Sequence, residues 1–280
     1  MNDLASTFSL DYSRDGFVYP VDILTPAEAK VLRDDLEAGE AALADDPAKR
    51  ALLRGYPARL LPSYYDLVNH PKMIAAAKAV LGPDVMVWGS GHFIKEANTT
   101  SYVSWHQDLT YWGLDKAEEV TLWVALSPAT VASGCMRFIP GTHREQIVPH
   151  TDKFADDNLL TRGQELAVEV NEADAVDVVL QPGQASVHHG HLFHASGPNT
   201  TNDRRIGAAI RYIVPSMKAR SGPETEMFLV AGEDRYGHFT LVDGPKERMA
   251  EADFARVAAD NERRSAILFD GAEQVRAPRQ

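Results

Sequence analysis

One cysteine, Cys135, in 280 residues excludes an internal disulfide framework and fits a reducing compartment. Basic charge is scarce as well. Lys and Arg number 28 against 40 Asp and Glu, a formal net charge of −12. That balance argues against a nucleic-acid-binding surface, which needs clustered cations. No stretch approaches the roughly 18 apolar residues of a membrane span. The opening residues, MNDLASTFSLDYSRDGF, hold no basic region followed by an apolar run, so no secretory leader is expected. Internal repeats, low-complexity tracts and Gly/Ser linkers are also missing. These absences leave one soluble, cytoplasmic domain over residues 1–280 as the simplest expectation, with a small-molecule substrate and neither nucleic acid nor membrane as partner. They assign no oligomeric state.

The first part of the chain, residues 1–83, reads as mainly helical. Thr25-Pro26-Ala27-Glu28 forms a capping-box pattern with Pro at the first helical position. A helix over residues 26–44 should follow, with Val31, Leu32 and Leu36 on one face. A second fits residues 71–81, closed by Gly82. From Asp84 the texture changes. VMVWGSGHFI, YVSWHQD, EVTLWVAL, CMRFIP, AVDVVL, ASVHHGHLFH and IGAAIRYIV are short runs rich in β-branched and aromatic residues, punctuated by Gly, Pro, Asn and Asp. Such spacing over residues 84–215 predicts a sandwich or barrel. A polar, weakly patterned insertion at about 150–172 has the character of an active-site lid. Residues 216–280 form a C-terminal extension, with ERMAEADFARVAADNERR as a surface helix.

The chemistry concentrates in three places. In a strand, residues i and i+2 share a face, so His106 and Asp108 would project together. A His-x-Asp pair alone is common by chance. The stretch His188-His189-Gly190-His191-Leu192-Phe193-His194 offers further donors; His194 precedes a turn sequence, and Arg205 follows it by eleven residues. His188 is a possible alternative by parity, whereas His189 and His191 read as supporting or core histidines. If the strand opened by Arg205 pairs back antiparallel, its guanidinium returns beside His194 as a fork for a carboxylate. Two His and one carboxylate occupy one face of an octahedral metal, the pattern of non-haem Fe(II) oxygenases. Two of the remaining positions suit the keto and carboxylate oxygens of 2-oxoglutarate, and the third suits dioxygen.

From Arg14-Asp15-Gly16-Phe17 to about Phe239 the chain resembles the phytanoyl-CoA dioxygenase family of Fe(II)/2-oxoglutarate oxygenases. The resemblance is sharpest in WHQD (Trp105–Asp108), GCMRFIPGTH (Gly134–His143) and HASGPNTTNDRR (His194–Arg205). It implies a double-stranded β-helix (jelly-roll, cupin-like) core with flanking helices, mainly β. It further implies iron ligands at His106, Asp108 and His194, a 2-oxoglutarate anchor at Arg205, and an assisting hydroxyl at Ser196. Gln107 and Trp123 match positions lining the cosubstrate pocket. The implied reaction consumes Fe(II)-bound 2-oxoglutarate and dioxygen, releases succinate and CO₂, and hydroxylates an unactivated C–H bond. Related halogenases carry a small residue where this chain keeps Asp108, so hydroxylation is favoured.

Trp88, His92, Lys95, Trp105, Tyr111 and Trp112 flank the metal motif and could form an aromatic-lined cavity; Lys95 is a candidate partner for a carboxylate. His143 and Arg144 could reach the substrate mouth. Arg204 reads as an exposed neighbour of Arg205, and Cys135 as a small core residue. A cupin-like isomerase or hydrolase and a non-enzymatic metal sensor are the competing readings; neither needs a keto-diacid anchor such as Arg205.

Overall fold

The computed structural model describes residues 2–153 and 155–272, with side chains from residue 8 onward. Helix α1 (Asn2–Asp15) leads into strand β1 (Phe17–Asp22). Helices α2 (Pro26–Ala42), α3 (Pro47–Gly55), α4 (Pro57–Leu60), α5 (Pro62–Val68) and α6 (Pro71–Leu81) follow. Next come β2 (Val85–Lys95), β3 (Val103–His106), β4 (Glu119–Ala125), β5 (Met136–Phe138), β6 (His150–Asp152), β7 (Gln164–Leu166) and β8 (Val176–Val178). The chain continues through β9 (Gln184–His189), β10 (His194–Ser196), β11 (Arg205–Ile213), β12 (Glu226–Ala231), β13 (Thr240–Leu241) and α7 (Glu251–Leu268).

The expected helix starts are present. Thr25 N–H donates to Glu28 Oε2 at 2.7 Å while Glu28 N–H donates to Thr25 Oγ1 at 3.2 Å, which completes the capping box. Gly82, at φ 91°, ends α6. Val31 departs from expectation: it is 63% exposed, whereas Ala29, Leu32 and Leu36 are buried. The buried stripe of α2 runs through positions 29, 32 and 36 at helical spacing, and Val31 points away from it.

The strands form two main sheets that face each other as a jelly roll. The major sheet has the order β1-β9-β4-β11-β2-β12-β13 and the minor sheet β3-β10-β5-β8; β6 and β7 make a separate ribbon. The minor strands are short, three or four residues each. Alternation decides what each face of the major sheet does. On β11, Ile206, Ala208, Ile210 and Tyr212 pack with the helices, as do Val120, Leu122 and Val124 on β4. The intervening Arg205, Ala209 and Arg211, with Thr121 and Trp123, face the interior between the sheets.

Several boundaries differ from the sequence reading. Strand β1, within the mainly helical first part, pairs with β9, and β12 and β13 extend the major sheet beyond residue 215. The run 185–194 is not one strand: it leaves the major sheet at Gly190 and enters the minor sheet at His194. The insertion carries the β6–β7 ribbon. Helix α7 begins later than residue 247 and runs to Leu268, and residues 273–280 of the C-terminal extension lie outside the described residues. No helix among the described residues is long and apolar enough to cross a membrane.

Gly207 is required by the crossing of β11 and β4. A Cβ there would lie 1.8 Å from Trp123 Cζ2. Gly207→Ala should therefore lower stability by about 1–3 kcal/mol through overpacking, read as a lower urea midpoint at unchanged m-value.

Candidate metal centre

His106 closes β3 and His194 opens β10, and the two are directly paired across the minor sheet. Asp108 does not share their strand. It begins a 3₁₀ turn, Asp108–Tyr111, whose first amides are held by one carbonyl: Asp108 N–H and Leu109 N–H donate to Gly190 O at 2.8 and 3.3 Å. Strand parity therefore does not aim Asp108; the turn does. Gly190 itself has no room for a side chain, since a Cβ would meet Glu119 Oε2 and Leu109 Cγ at 2.6 Å each.

These elements bring one ligand atom from each of His106, Asp108 and His194 within 4.8 Å of one another. Asp108 Oδ1 lies 3.5 Å from His106 Nε2 and 3.9 Å from His194 Nε2. Each imidazole is fixed from behind: Nδ1–H of His106 donates to Ser104 O at 2.8 Å, and that of His194 to Leu192 O at 2.9 Å. A carbonyl only accepts, so both Nε2 atoms present lone pairs to the centre. His106 Nε2 is buried with no hydrogen-bond partner. Burial alone would raise the Asp108 carboxyl, yet His106, His194 and Arg211 hold it well below the usual range. Burial, reinforced by His106, keeps His194 neutral. An anionic carboxylate and two neutral imidazoles, converging on one side with an orphaned ring nitrogen, fit a divalent ion such as Fe(II).

The triad opens into an inner cavity of about 390 Å³. Arg205 lies in its wall, 1% exposed, with Nε and Nη2 lacking any hydrogen-bond partner. Its guanidinium carbon is 5.2 Å from the Trp123 ring centre, and burial pushes it down to about 10. Lys95, its partner across the β11–β2 ladder, is wholly buried. Lys95 Nζ donates to Ser196 Oγ at 2.6 Å and also to the carbonyl of Gly197. Burial and then Arg205 push Lys95 down to about 6. The Ser196 oxygen accepts from Lys95, which leaves its own proton to donate elsewhere. Arg205 does not reach His194 by strand pairing, because β11 pairs with β2 and β4 while β10 pairs with β3 and β5. The two meet across the gap between the sheets.

Of the residues singled out in the sequence, His106, Asp108, Trp123, His194, Ser196 and Arg205 line this cavity together. Gln107 does not. Its carboxamide donates to His191 O at 2.9 Å and accepts from Val148 N–H at 2.9 Å, tying down the segment before β6. His188 lines the cavity from the major sheet, its ring centre 5.2 Å from that of His194, and burial drops it to about 4. His189 packs instead with His143 and His191. His143 sits against Gly16, and Arg144 donates to carbonyls of Ser13 and Arg14; both brace α1 rather than a substrate mouth. Arg204 is not a free surface residue, since it joins Glu40 and Glu96 at 2.8 and 2.9 Å. Trp88, Tyr111 and Trp112 line a second, outer cavity. His92 is turned toward the helices, its ring 4.9 Å from that of Tyr64, and Trp105 is turned away onto Arg137. Cys135 is buried in an apolar cluster as expected.

Sequence reasoning missed Arg211 and Glu119. Arg211 lines both cavities; its even spacing from Arg205 on one strand is the signal that would have found it. Glu119, fully buried, is raised to about 8 by burial and then by Asp108, and Thr121 Oγ1 donates to it at 2.7 Å.

The fold and the site together define a jelly-roll chain with a buried centre of two histidines and one carboxylate, able to hold a divalent metal. The family profile of phytanoyl-CoA dioxygenase (PhyH) matches residues 12–207, and the chain belongs to that family. A probable phytanoyl-CoA dioxygenase of Caenorhabditis elegans is 24% identical over 204 residues, 69% of this chain and 61% of that protein. The phytanoyl-CoA dioxygenase of Arabidopsis thaliana is 27% identical over 54% of this chain and 53% of its own length, so the chain spans little more than half of these relatives. Among solved structures, the non-haem monooxygenase ThoJ in its apo form superposes with a TM-score of 0.84 at 34% identity, over 94% of this chain and 98% of that one.

Loss of one ligand should weaken metal binding more than loss of an outer partner does, by about 100-fold or more. Competition of Asp108→Asn and His194→Ala against a chromophoric chelator for Fe(II), under anaerobic conditions, measures this; wild-type affinity in both variants would disprove the triad.

Proposed function

We propose that this protein is an Fe(II)- and 2-oxoglutarate-dependent dioxygenase that hydroxylates an unactivated C–H bond of a small organic molecule. The observation that carries the reading is Arg205: a buried guanidinium with unpartnered donors, in the same cavity as the triad. A buried cation left unpaired is costly, and a carboxylate reaching it from a metal-bound keto group would remove that cost. An isomerase or a sensor built on the triad has no use for this arrangement.

His106, Asp108 and His194 would hold the metal on one side and leave the opposite side for cosubstrate and dioxygen. The bound iron and keto acid supply the redox chemistry: 2-oxoglutarate is decarboxylated to succinate and CO₂, with one oxygen atom going to succinate and the other into the substrate C–H bond. The chain's residues bind, orient and exclude water. Arg205 takes the distal carboxylate, Ser196 donates its free hydroxyl proton to it, and Lys95 holds that hydroxyl in place. The Trp123 ring, beside Arg205, keeps water from the guanidinium face. His188 stays neutral and leaves the metal's charge unopposed. The names of family relatives agree with a small substrate: an ectoine dioxygenase of Nocardia farcinica (strain IFM 10152) and an L-proline trans-4-hydroxylase of Streptomyces griseoviridis are 24% and 25% identical.

Anaerobically Fe(II)-loaded protein should form succinate from 2-oxoglutarate slowly and only when dioxygen is admitted, and Asp108→Ala should abolish it. Arg205→Gln should raise the KM for 2-oxoglutarate about thirtyfold or more, the effect of removing one partner of a buried charge pair. No succinate from wild-type protein that binds Fe(II) tightly would defeat the reading.

Binding should also be pH-dependent. An arriving anion raises the Lys95 pKa from its free value of about 6, so the protonated form binds better. Affinity for 2-oxoglutarate should therefore fall as pH rises above about 6, by at most about tenfold per unit, until the bound-state pKa is passed. Titrations across neutral pH with wild-type and Lys95→Met protein check this; the variant should lose the slope.

A further inference from the structure

The outer cavity adjoins the metal site through three shared residues, Phe93, Asp108 and Arg211. It encloses about 980 Å³ of space open to solvent, walled by β2, the insertion and α7. Aromatic rings of Tyr56, Trp88, Phe93, Tyr111 and Trp112 line it among polar side chains. Its charged side chains are Asp108, Arg211 and Arg264, and they differ in how far they are committed. Asp108 belongs to the metal. Arg264 is spent on structure, with Nε donating to Asp260 at 2.8 Å and Nη1 to Trp88 O at 2.9 Å.

Arg211 is not spent. Its Nε has no hydrogen-bond partner, and no carboxylate among the described residues pairs with it. Trp112 and Phe93 lie over its guanidinium at 5.2 and 5.8 Å. Aromatic rings cover the faces of a guanidinium and leave its in-plane N–H fork to donate. Directly across the ladder from Arg211 stands Gly89, where a Cβ would touch nothing within 4 Å. A vacant notch thus lies over Gly89 in the same cavity wall as Arg211, whose Nη1 extends on toward Gly91, 3.7 Å from where a Cβ there would stand. Glu119 accepts from Thr121 Oγ1 at 2.7 Å and makes no ion pair with Arg211.

We infer that the primary substrate carries a carboxylate, bound by Arg211 in the notch beside Gly89, with an apolar or aromatic body against Trp88 and Trp112. The inference rests on the dioxygenase reading, because it takes the inner cavity to be filled by 2-oxoglutarate. Arg211 faces the outer cavity without an ion-pair partner among the described residues, and a carboxylate matches its free fork. The carboxylate end is then fixed at the shared wall, and the body's C–H bonds lie on the metal side of the outer cavity.

The test uses Fe(II)- and 2-oxoglutarate-loaded protein without dioxygen, followed by the visible charge-transfer absorption that a chelating 2-keto acid gives on Fe(II). Two matched probe pairs are titrated: 3-phenylpropanoate with 3-phenylpropanamide, and indole-3-acetate with indole-3-acetamide. Each acid should perturb the band with a Kd about tenfold or more below that of its amide, the scale of a charge-assisted hydrogen bond. Arg211→Gln should erase the difference, and Arg211→Lys should retain part of it. Gly89→Val places its side chain in the notch, where a Cβ meets no atom within 4 Å, and should weaken the acid with the guanidinium still present. Equal affinity of acid and amide in wild type, binding of neither, or a preference that survives both Arg211→Gln and Gly89→Val overturns the inference. Absence of the charge-transfer band in wild-type protein is a separate result: it overturns the dioxygenase reading, and this inference with it.

Discussion

Charge held away from water sets the terms for this molecule. Arg205, Lys95 and Asp108 all lie between the two sheets, and none is more than 9% exposed. Each such group costs several kcal/mol unless it is paired or bonded. Arg205 has the Trp123 ring beside it, and Lys95, pushed down to about 6 by burial, donates to a hydroxyl and to carbonyls. The apolar side of the same sheet supplies the stability that makes this tolerable. Ile206, Ile210 and Tyr212 alternate with the arginines on β11 and bury fully against the helices, each contributing about 1.5–3 kcal/mol. The strand that carries the exposed-to-ligand cation is thereby the one most firmly anchored. The N-terminal helices have no residue in the inner cavity, yet they belong to the site, because they hold the sheet that aims its charges.

The sequence was most informative where alternation is regular. Strands β2, β4 and β11 fall within a residue or so of the expected runs, because apolar and interior positions alternate along them, with one break on β2 at Trp88 where the ladder to β11 shifts register. The three triad residues and Arg205, which share one cavity, could be picked out from residue type and spacing together. How they meet was not. Asp108 leaves the strand because the Gly190 carbonyl captures its amide and that of Leu109, a contact between segments eighty residues apart that no local pattern encodes. The run through His188 and His194 looks continuous, yet the chain changes sheets at Gly190. His188 and His194 therefore enter one cavity from opposite walls. Gln107 sits between two ligands in sequence, but its side chain points the other way, into the segment before β6. Strand β1 at one edge, and β12 and β13 at the other end of the sheet, lie outside the run of short strands that the sequence marks out.

Two arginines on one face of one strand invite a comparison that isolates what environment does to a guanidinium. Arg205 is shut in by Trp123 and flanked by Lys95, and its charge acts on Lys95 and Cys135. Arg211, six residues along, acts on Asp108, Glu119 and His188, and it faces the open cavity. A strand rise of about 3.3 Å per residue separates their Cα atoms by roughly 20 Å, and both side chains reach the wall of the inner cavity. Of the two, only Arg211 also borders the outer cavity. A carboxylate at Arg205 can extend toward the metal from within, whereas one at Arg211 approaches it from the solvent side. On the proposed function, cosubstrate and substrate need not compete for a single cation.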